Sequence, residues 1–200
     1  CFDFILIVFD GTRSHDMAMV ATIMAAYRNH PNVRYFRTSS IINITRQDKE
    51  YRIAIVPEEY PKNKDEYYQF LFDDAKINGK FHYILGHGAF EFAMYVDKHE
   101  VELLCASAPI FPNDYFNEIC GGYIIFGHIH NRTSKGLVEY NGSYSTGCFA
   151  DTDDKGYLVS SVAYDFSNKS LFFIKNEFVR SYKTFKLSDV RATLNRQEKY

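Results

Sequence analysis

Three short segments combine a glycine with residues that can bind a metal ion or transfer a proton. They are Gly11-Thr-Arg-Ser-His-Asp16, Gly86-His87 and Gly127-His-Ile-His130, and each follows an apolar run with the length of a strand. In layered α/β folds, binding sites form beyond the carboxyl ends of the strands. We therefore expect the three segments to converge on one site, although they lie far apart in the sequence.

The histidines of the second and third segments, His87, His128 and His130, are candidate metal ligands, since imidazole binds zinc, iron and manganese ions. Residues two apart in a regular strand point to opposite faces, so the chain has to leave the strand at Gly127 before both later histidines can face one site. A single histidine of this kind is more typical of a structural residue. The combination of three segments is what predicts a metal centre.

The first segment opens a predicted helix, because apolar residues recur at helical spacing between Met17 and Tyr27. Ser14 fits the N-cap position of this helix, and the carboxylate of Asp16 suits the positive end of its dipole.

The elements that position the three segments alternate between strands and helices, and then become antiparallel strands. Strands are predicted at 2–9, 33–37, 40–45, 51–56, 81–85 and 123–126, the first of them buried on both faces. Helices are predicted at 64–77 and, as short candidates, at 101–105 and 113–119. Hairpin strands are predicted at 138–140, 143–146, 157–165 and 170–176, with turns at Asn141-Gly142 and Ser167-Asn168. This order indicates an α/β layered domain with one mixed sheet and a second, largely antiparallel sheet.

Composition excludes several classes of protein. With 16 Tyr and 18 Phe the chain can bury a large core, so global disorder is excluded. No apolar run approaches the roughly 20 residues that cross a bilayer, and no membrane association is expected. The four cysteines form no CxxC pair, which favours free thiols in a cytoplasmic protein over a zinc finger.

Charge is distributed unevenly along the chain. Residues 1–167 carry 15 basic and 22 acidic residues, whereas residues 168–200 carry 8 basic and 3 acidic ones. The basic end could bind a nucleic acid backbone, and a solvated amphipathic tail explains it equally well.

The three segments together resemble the motifs of the calcineurin-like metallophosphoesterases. Gly127-His-Ile-His130 looks like their GHxH motif, and Tyr140-Asn-Gly-Ser143 resembles the YxGS strand that follows it in nucleases of this superfamily. Gly86-His87 resembles the isolated metal-binding histidine. Gly11 to Asp16 and the segment Val56 to Pro61 look like the versions in phage and bacterial DNA repair nucleases of the SbcD type.

The resemblance implies a fold and a set of roles. The fold would be the α/β-β/α metallophosphoesterase sandwich, with two divalent ions, most often manganese, held by His87, His128 and His130 and by Ser14 in place of a metal-binding Asn. His15 would stabilise the transition state and protonate the leaving oxygen. Asp16 would orient His15, or it caps the helix. Arg13 and Arg132 would contact substrate phosphate, or they are ordinary surface residues.

The family begins with DxH and GD motifs, and neither occurs ahead of Gly11. We therefore expect an N-terminal strand–loop–helix segment upstream, with residues 1–186 forming the nuclease domain and 187–200 starting a linker or helix. By resemblance the function is cleavage of DNA in repair or recombination, by a homodimer with an SbcC-type coiled-coil ATPase, in the cytoplasm (the host's, if the chain is phage-encoded). Two alternatives remain: a phosphoesterase acting on small molecules or phosphoproteins, and an inactive binding fragment.

Overall fold

The structure, a computed structural model, describes residues 4–12, 19–95, 109–145 and 153–179. The strands are β1 Leu6–Phe9, β2 Val33–Phe36, β3 Ser40–Arg46, β4 Lys49–Val56, β5 Phe81–His87, β6 Ala89–Phe90, β7 Ile110–Phe111, β8 Cys120–Gly127, β9 Thr133–Lys135, β10 Val138–Tyr140, β11 Gly156–Val162 and β12 Lys169–Lys175. The helices are α1 Met19–Tyr27, α2 Lys64–Asn78 and a 3₁₀ turn at Glu91–Tyr95.

A six-stranded mixed sheet forms the centre of the fold, in the order β3-β4-β5-β8-β10-β9. The four inner strands, β4, β5, β8 and β10, run parallel, and the edge strands β3 and β9 pair with them antiparallel. Because neighbouring parallel strands end at one edge, residues that follow β4, β5 and β8 are brought together.

Helix α2 covers one face of this sheet. Its N-cap is Asn63, whose side chain accepts hydrogen bonds from the backbone N–H groups of Asp65 and Glu66. The helix ends at Gly79, whose N–H donates to the carbonyl of Ala75. The side chains buried beneath it form one aromatic-rich core, which includes Tyr68, Leu71, Phe81, Phe90, Phe111, Phe116, Ile124, Phe126 and Tyr140.

Three two-stranded sheets surround the central one: the parallel pairs β1–β2 and β6–β7, and the antiparallel pair β11–β12. His82, buried on β5, ties the last of these to the main sheet. Its Nδ1 accepts from the backbone N–H of Arg52 at 3.0 Å, so the other ring nitrogen, Nε2, carries the proton and donates to the Tyr164 carbonyl at 2.9 Å. His82 is therefore a satisfied structural histidine, and its neutral ring fastens the β11–β12 hairpin.

The coarse prediction of fold class is confirmed, since the described residues form a mixed α/β arrangement with a mixed sheet and few helices. The predicted burial of the first strand on both faces is wrong for its described part. Leu6 is 47% exposed, and neighbouring Phe4 and Ile5 are also exposed. The reason is that, among the described strands, β1 pairs only with β2, while Ile7 faces an open cleft of about 1240 Å³.

Other local predictions are also corrected. Residues 113–119 form successive hydrogen-bonded turns instead of a helix, with Tyr115 N–H donating to Pro112 and Asn117 N–H to Asp114. The described residues of the predicted strand 143–146 are not a strand, and Asn141-Gly142 is not a hairpin turn. The hairpin instead joins β9, which was not predicted, to β10 through Gly136, whose φ is +65°. The predicted helix 101–105 lies outside the described residues.

No helix within the described ranges has both the length and the apolar character needed to span a bilayer.

Cys120 provides a test of the core. It is a free cysteine with 1% exposure, and burial raises the pKa of its thiol to about 12. The thiolate is the reactive form. We expect iodoacetamide at about pH 8, below the ordinary thiol pKa of about 8.5, to leave Cys120 unmodified in the folded protein and to modify it in denaturing urea. Peptide mass mapping measures this, and rapid modification under native conditions would contradict the packing.

Candidate metal centre

Three side chains meet at the carboxyl edge of the central sheet. Glu58 follows β4, His87 ends β5 and His128 follows β8. Each of them offers a ligand atom, and these atoms all lie within 4.8 Å of one another. The two imidazole rings are perpendicular, with centroids 5.2 Å apart. Within the described part of the chain, this is the group whose composition and spacing could hold a metal ion.

Glu58 is the acceptor at the centre of this group, and its side chain is fully buried. One oxygen, Oε2, accepts from His87 Nδ1 at 2.6 Å, from Thr12 Oγ1 at 2.9 Å and from His128 Nδ1 at 3.2 Å. The other oxygen accepts from the hydroxyl of Tyr60. Burial raises the pKa of Glu58, but the hydrogen bonds from His128, His87 and Tyr60 together lower it well below its ordinary value. Glu58 is therefore ionised at neutral pH.

The ionised carboxylate determines the protonation of both rings. A carboxylate only accepts hydrogen bonds, so Nδ1 of His87 and Nδ1 of His128 each carry a proton. The hydroxyl oxygen of Thr12 also lies 3.2 Å from His128 Nδ1. Because Thr12 donates its hydroxyl proton to Glu58, its oxygen can accept the hydrogen bond from His128 Nδ1. In a neutral imidazole the second nitrogen, Nε2, then has a free lone pair.

The Nε2 atoms are therefore the candidate metal ligands. His128 has a side chain only 4% exposed, and its Nε2 is buried without a hydrogen-bond partner among the described residues. Buried polar atoms are nearly always paired, and an exception marks a place for a bound water or ion, or a functional role. A carboxylate that holds the far side of a metal-binding histidine is a common arrangement in metal sites. Glu58 fits this orienting role for two histidines at once.

Two glycines leave room around His87. A Cβ on Gly11 would lie 3.2 Å from His87 Nε2, and a Cβ on Gly127 would lie 2.8 Å from its Cδ2. A side chain at either position would crowd the ring, and at Gly11 it would crowd the ligand atom itself. The glycines of the first and third segments thus keep the space beside His87 open.

His128 has a strained backbone, with φ at +103°. A residue with a Cβ rarely adopts such a conformation, and it persists only where the surroundings enforce it. Positive φ directly after β8 turns the His128 side chain toward Glu58 instead of continuing the strand alternation. This turn is how the chain leaves the strand after Gly127, as the sequence required.

The neighbouring carboxylate, Glu59, has a different role. It is 7% exposed and points away from the group, where it accepts from the backbone N–H of Ser39 at 2.9 Å and from the hydroxyl of Tyr67. Glu59 thus fastens the chain between β2 and β3 to helix α2.

The predicted site residues have different outcomes. His87 and His128 are brought together as expected. His130 is half-buried and does not belong to the group of three, although its backbone carbonyl accepts hydrogen bonds near the site. Arg132 is exposed, and its guanidinium lies 4.6 Å from the Phe173 ring centre. The metal role of His130 and the substrate role of Arg132 stay predictions.

Arg13, Ser14, His15 and Asp16 lie outside the described residues.

Sequence reasoning missed Glu58 and Thr12. Glu58 belongs to the segment Val56 to Pro61, which carried a family resemblance but had no assigned role. Its place two residues after the end of an apolar strand was the available signal, since His87 and His128 were found by their places at strand ends. Thr12 was hidden because hydroxyl side chains are common in turns.

The backbone strain at His128 can be measured by comparing two substitutions. We expect His128→Gly to be more stable than His128→Ala by about 1 kcal/mol, because only glycine adopts positive φ without cost. At His130, where φ is not positive, alanine should be the more stable replacement, by about 0.5 kcal/mol. Urea unfolding of the four variants gives the free energies. The same order of stability at both positions would contradict the strain.

Comparison with known proteins identifies no relative of this chain: no family model matches it, and no curated protein and no solved structure does.

Proposed function

We propose that this protein is a metal-dependent phosphoesterase that hydrolyses phosphodiester bonds in DNA. The observation that carries the proposal is the buried Glu58 carboxylate, which holds Nδ1 of His87 and of His128. It leaves the Nε2 atom of each ring available, and that of His128 is buried without a partner among the described residues.

Two imidazole nitrogens suit a divalent ion such as zinc or iron, and the resemblance to the metallophosphoesterases adds manganese. Bound there, such an ion supplies charge compensation and polarisation at the phosphoryl oxygens of a phosphodiester. The residues of this chain orient the metal ligands. Glu58 fixes both imidazoles in one tautomer, and Gly11 keeps the space beside His87 Nε2 open.

The choice of phosphodiester and of DNA rests on the resemblance of Gly127 to His130 and of Tyr140 to Ser143 to nuclease motifs. The excess of basic residues in 168–200 is compatible with contacts to a nucleic acid backbone. The finer expectations belong to the same proposal: the two-sheet sandwich, a pair of manganese ions, a homodimer, a coiled-coil ATPase partner and a cytoplasmic location.

The first test measures manganese-dependent cleavage of linear DNA by the full chain. We expect cleavage that a chelator abolishes and that added Mn²⁺ restores. Glu58→Gln should lower both Mn²⁺ affinity and cleavage by about 10- to 100-fold, the usual effect of removing an orienting carboxylate. His128→Ala should lower both further, because it removes the ligand atom itself.

His30→Ala is the matched control, since His30 is an exposed histidine whose Nδ1 accepts only a local hydrogen bond, from the N–H of Asn32. It should retain both properties. Undiminished Mn²⁺ binding in His128→Ala would refute the proposed centre. Hydrolysis of aryl phosphomonoesters without DNA cleavage would keep the centre but replace the substrate. Absence of metal binding by the unchanged chain would favour a binding fragment without catalysis.

A further inference from the structure

The loop that contains His128 and His130 is held by a buried lysine, Lys155, which lies outside the central sheet. The ammonium group of Lys155 donates a hydrogen bond to the His130 carbonyl oxygen at 2.9 Å, and Lys155 is only 1% exposed. The same carbonyl accepts from the backbone N–H of Ser143 at 3.0 Å. Two donors on one oxygen restrain the backbone two residues after His128.

Lys155 is itself held at the open end of the β11–β12 hairpin. Its carbonyl accepts from the N–H of Asn176 at 2.7 Å, and the side chain of Asn176 donates to the Tyr144 carbonyl at 3.0 Å. The next carbonyl, that of Gly156, accepts from Asn141 Nδ2 at 3.2 Å. The hairpin is thus fastened to the chain that follows β10, and these bonds fix the backbone position from which the Lys155 side chain extends.

Burying the ammonium group of Lys155 is energetically unfavourable. Its burial costs solvation free energy, and the long side chain loses rotamer freedom, whereas an apolar residue of similar size pays neither cost in full. The strained φ of His128, in turn, persists only if its neighbours constrain the loop. The hydrogen bond from Lys155 to His130 is such a constraint, and it comes from a separate sheet.

We infer that Lys155 is a positioning residue for the candidate metal centre. By holding the His130 carbonyl, it keeps the loop in the conformation that presents His128 to Glu58 on one side and leaves His128 Nε2 available on the other. The inference rests on the proposed function, because it takes His128 as a metal ligand. It adds the β11–β12 hairpin to the parts of the chain on which metal binding depends.

The test measures Co²⁺ binding by the full chain. Calorimetry gives the affinity, and the visible absorption of the ion reports its ligand geometry. Lys155→Met should weaken Co²⁺ affinity by about 10- to 100-fold, as outer partners of metal sites commonly do, and should alter the absorption band. Lys155→Arg retains a charged donor and should recover most of the affinity. Lys175→Met, which removes an exposed ion pair to Asp154 on the same hairpin, should bind as the unchanged chain does.

Thermal unfolding without metal separates positioning from simple stabilisation. A Lys155→Met protein that melts earlier but binds Co²⁺ with unchanged affinity and spectrum would overturn the inference. Lys155→Gln is the second variant if the methionine protein does not fold, and the same loss of affinity is expected. If neither folds, Lys155 is a structural residue and the inference fails. Absence of Co²⁺ binding by the unchanged chain would instead contradict the proposed function, and this inference with it.

Discussion

The burial of one ionised carboxylate, that of Glu58, is the constraint on which the site depends. Such a charge is costly inside a protein unless hydrogen bonds compensate it. Here the donors come from four places in the sequence: Thr12 after β1, Tyr60 beside Glu58, and His87 and His128 at the ends of two central strands. Compensation of the charge therefore assembles the metal-binding group. A backbone hydrogen bond at the same residue also ties the β1–β2 sheet to the central one, because the N–H of Glu58 donates to the Asp10 carbonyl.

The fold divides two tasks between its parts. The central parallel strands set the separation of the ligand residues, because their register places Gly86 beside both Val56 and Phe126. The peripheral segments set orientation: Thr12 lies against the Glu58 and His128 side chains, and Lys155 holds the loop beyond His128. Separation is thus robust to changes at the periphery, whereas orientation is sensitive to them.

Much of this arrangement could be predicted from sequence where pattern and chemistry coincide. His87 and His128 were predicted because each follows a glycine at the end of an apolar strand. Glu58 was not, because two adjacent glutamates beside two prolines resemble a solvated loop, and burial of a charge depends on partners distant in sequence. The exposure of Leu6 was missed for a related reason: an apolar run does not reveal whether its strand has one neighbour or two. Residues 113–119 contain helix-forming spacing, but at that length hydrogen-bonded turns satisfy the backbone equally well.

The pair Glu58 and Glu59 makes the site sensitive to insertions and deletions. The two carboxylates are chemically alike and adjacent, yet one faces the histidines and the other fastens Ser39 and Tyr67. Loss of one residue between β4 and this pair would move Glu59 to the place of Glu58 and Tyr60 to the place of Glu59. Gain of one residue would move Glu58 to the place of Glu59, so that in either case one set of partners would lose its carboxylate. The number of residues between β4 and these glutamates is therefore constrained. Homologues that preserve the site should keep this spacing even where the surrounding residues differ.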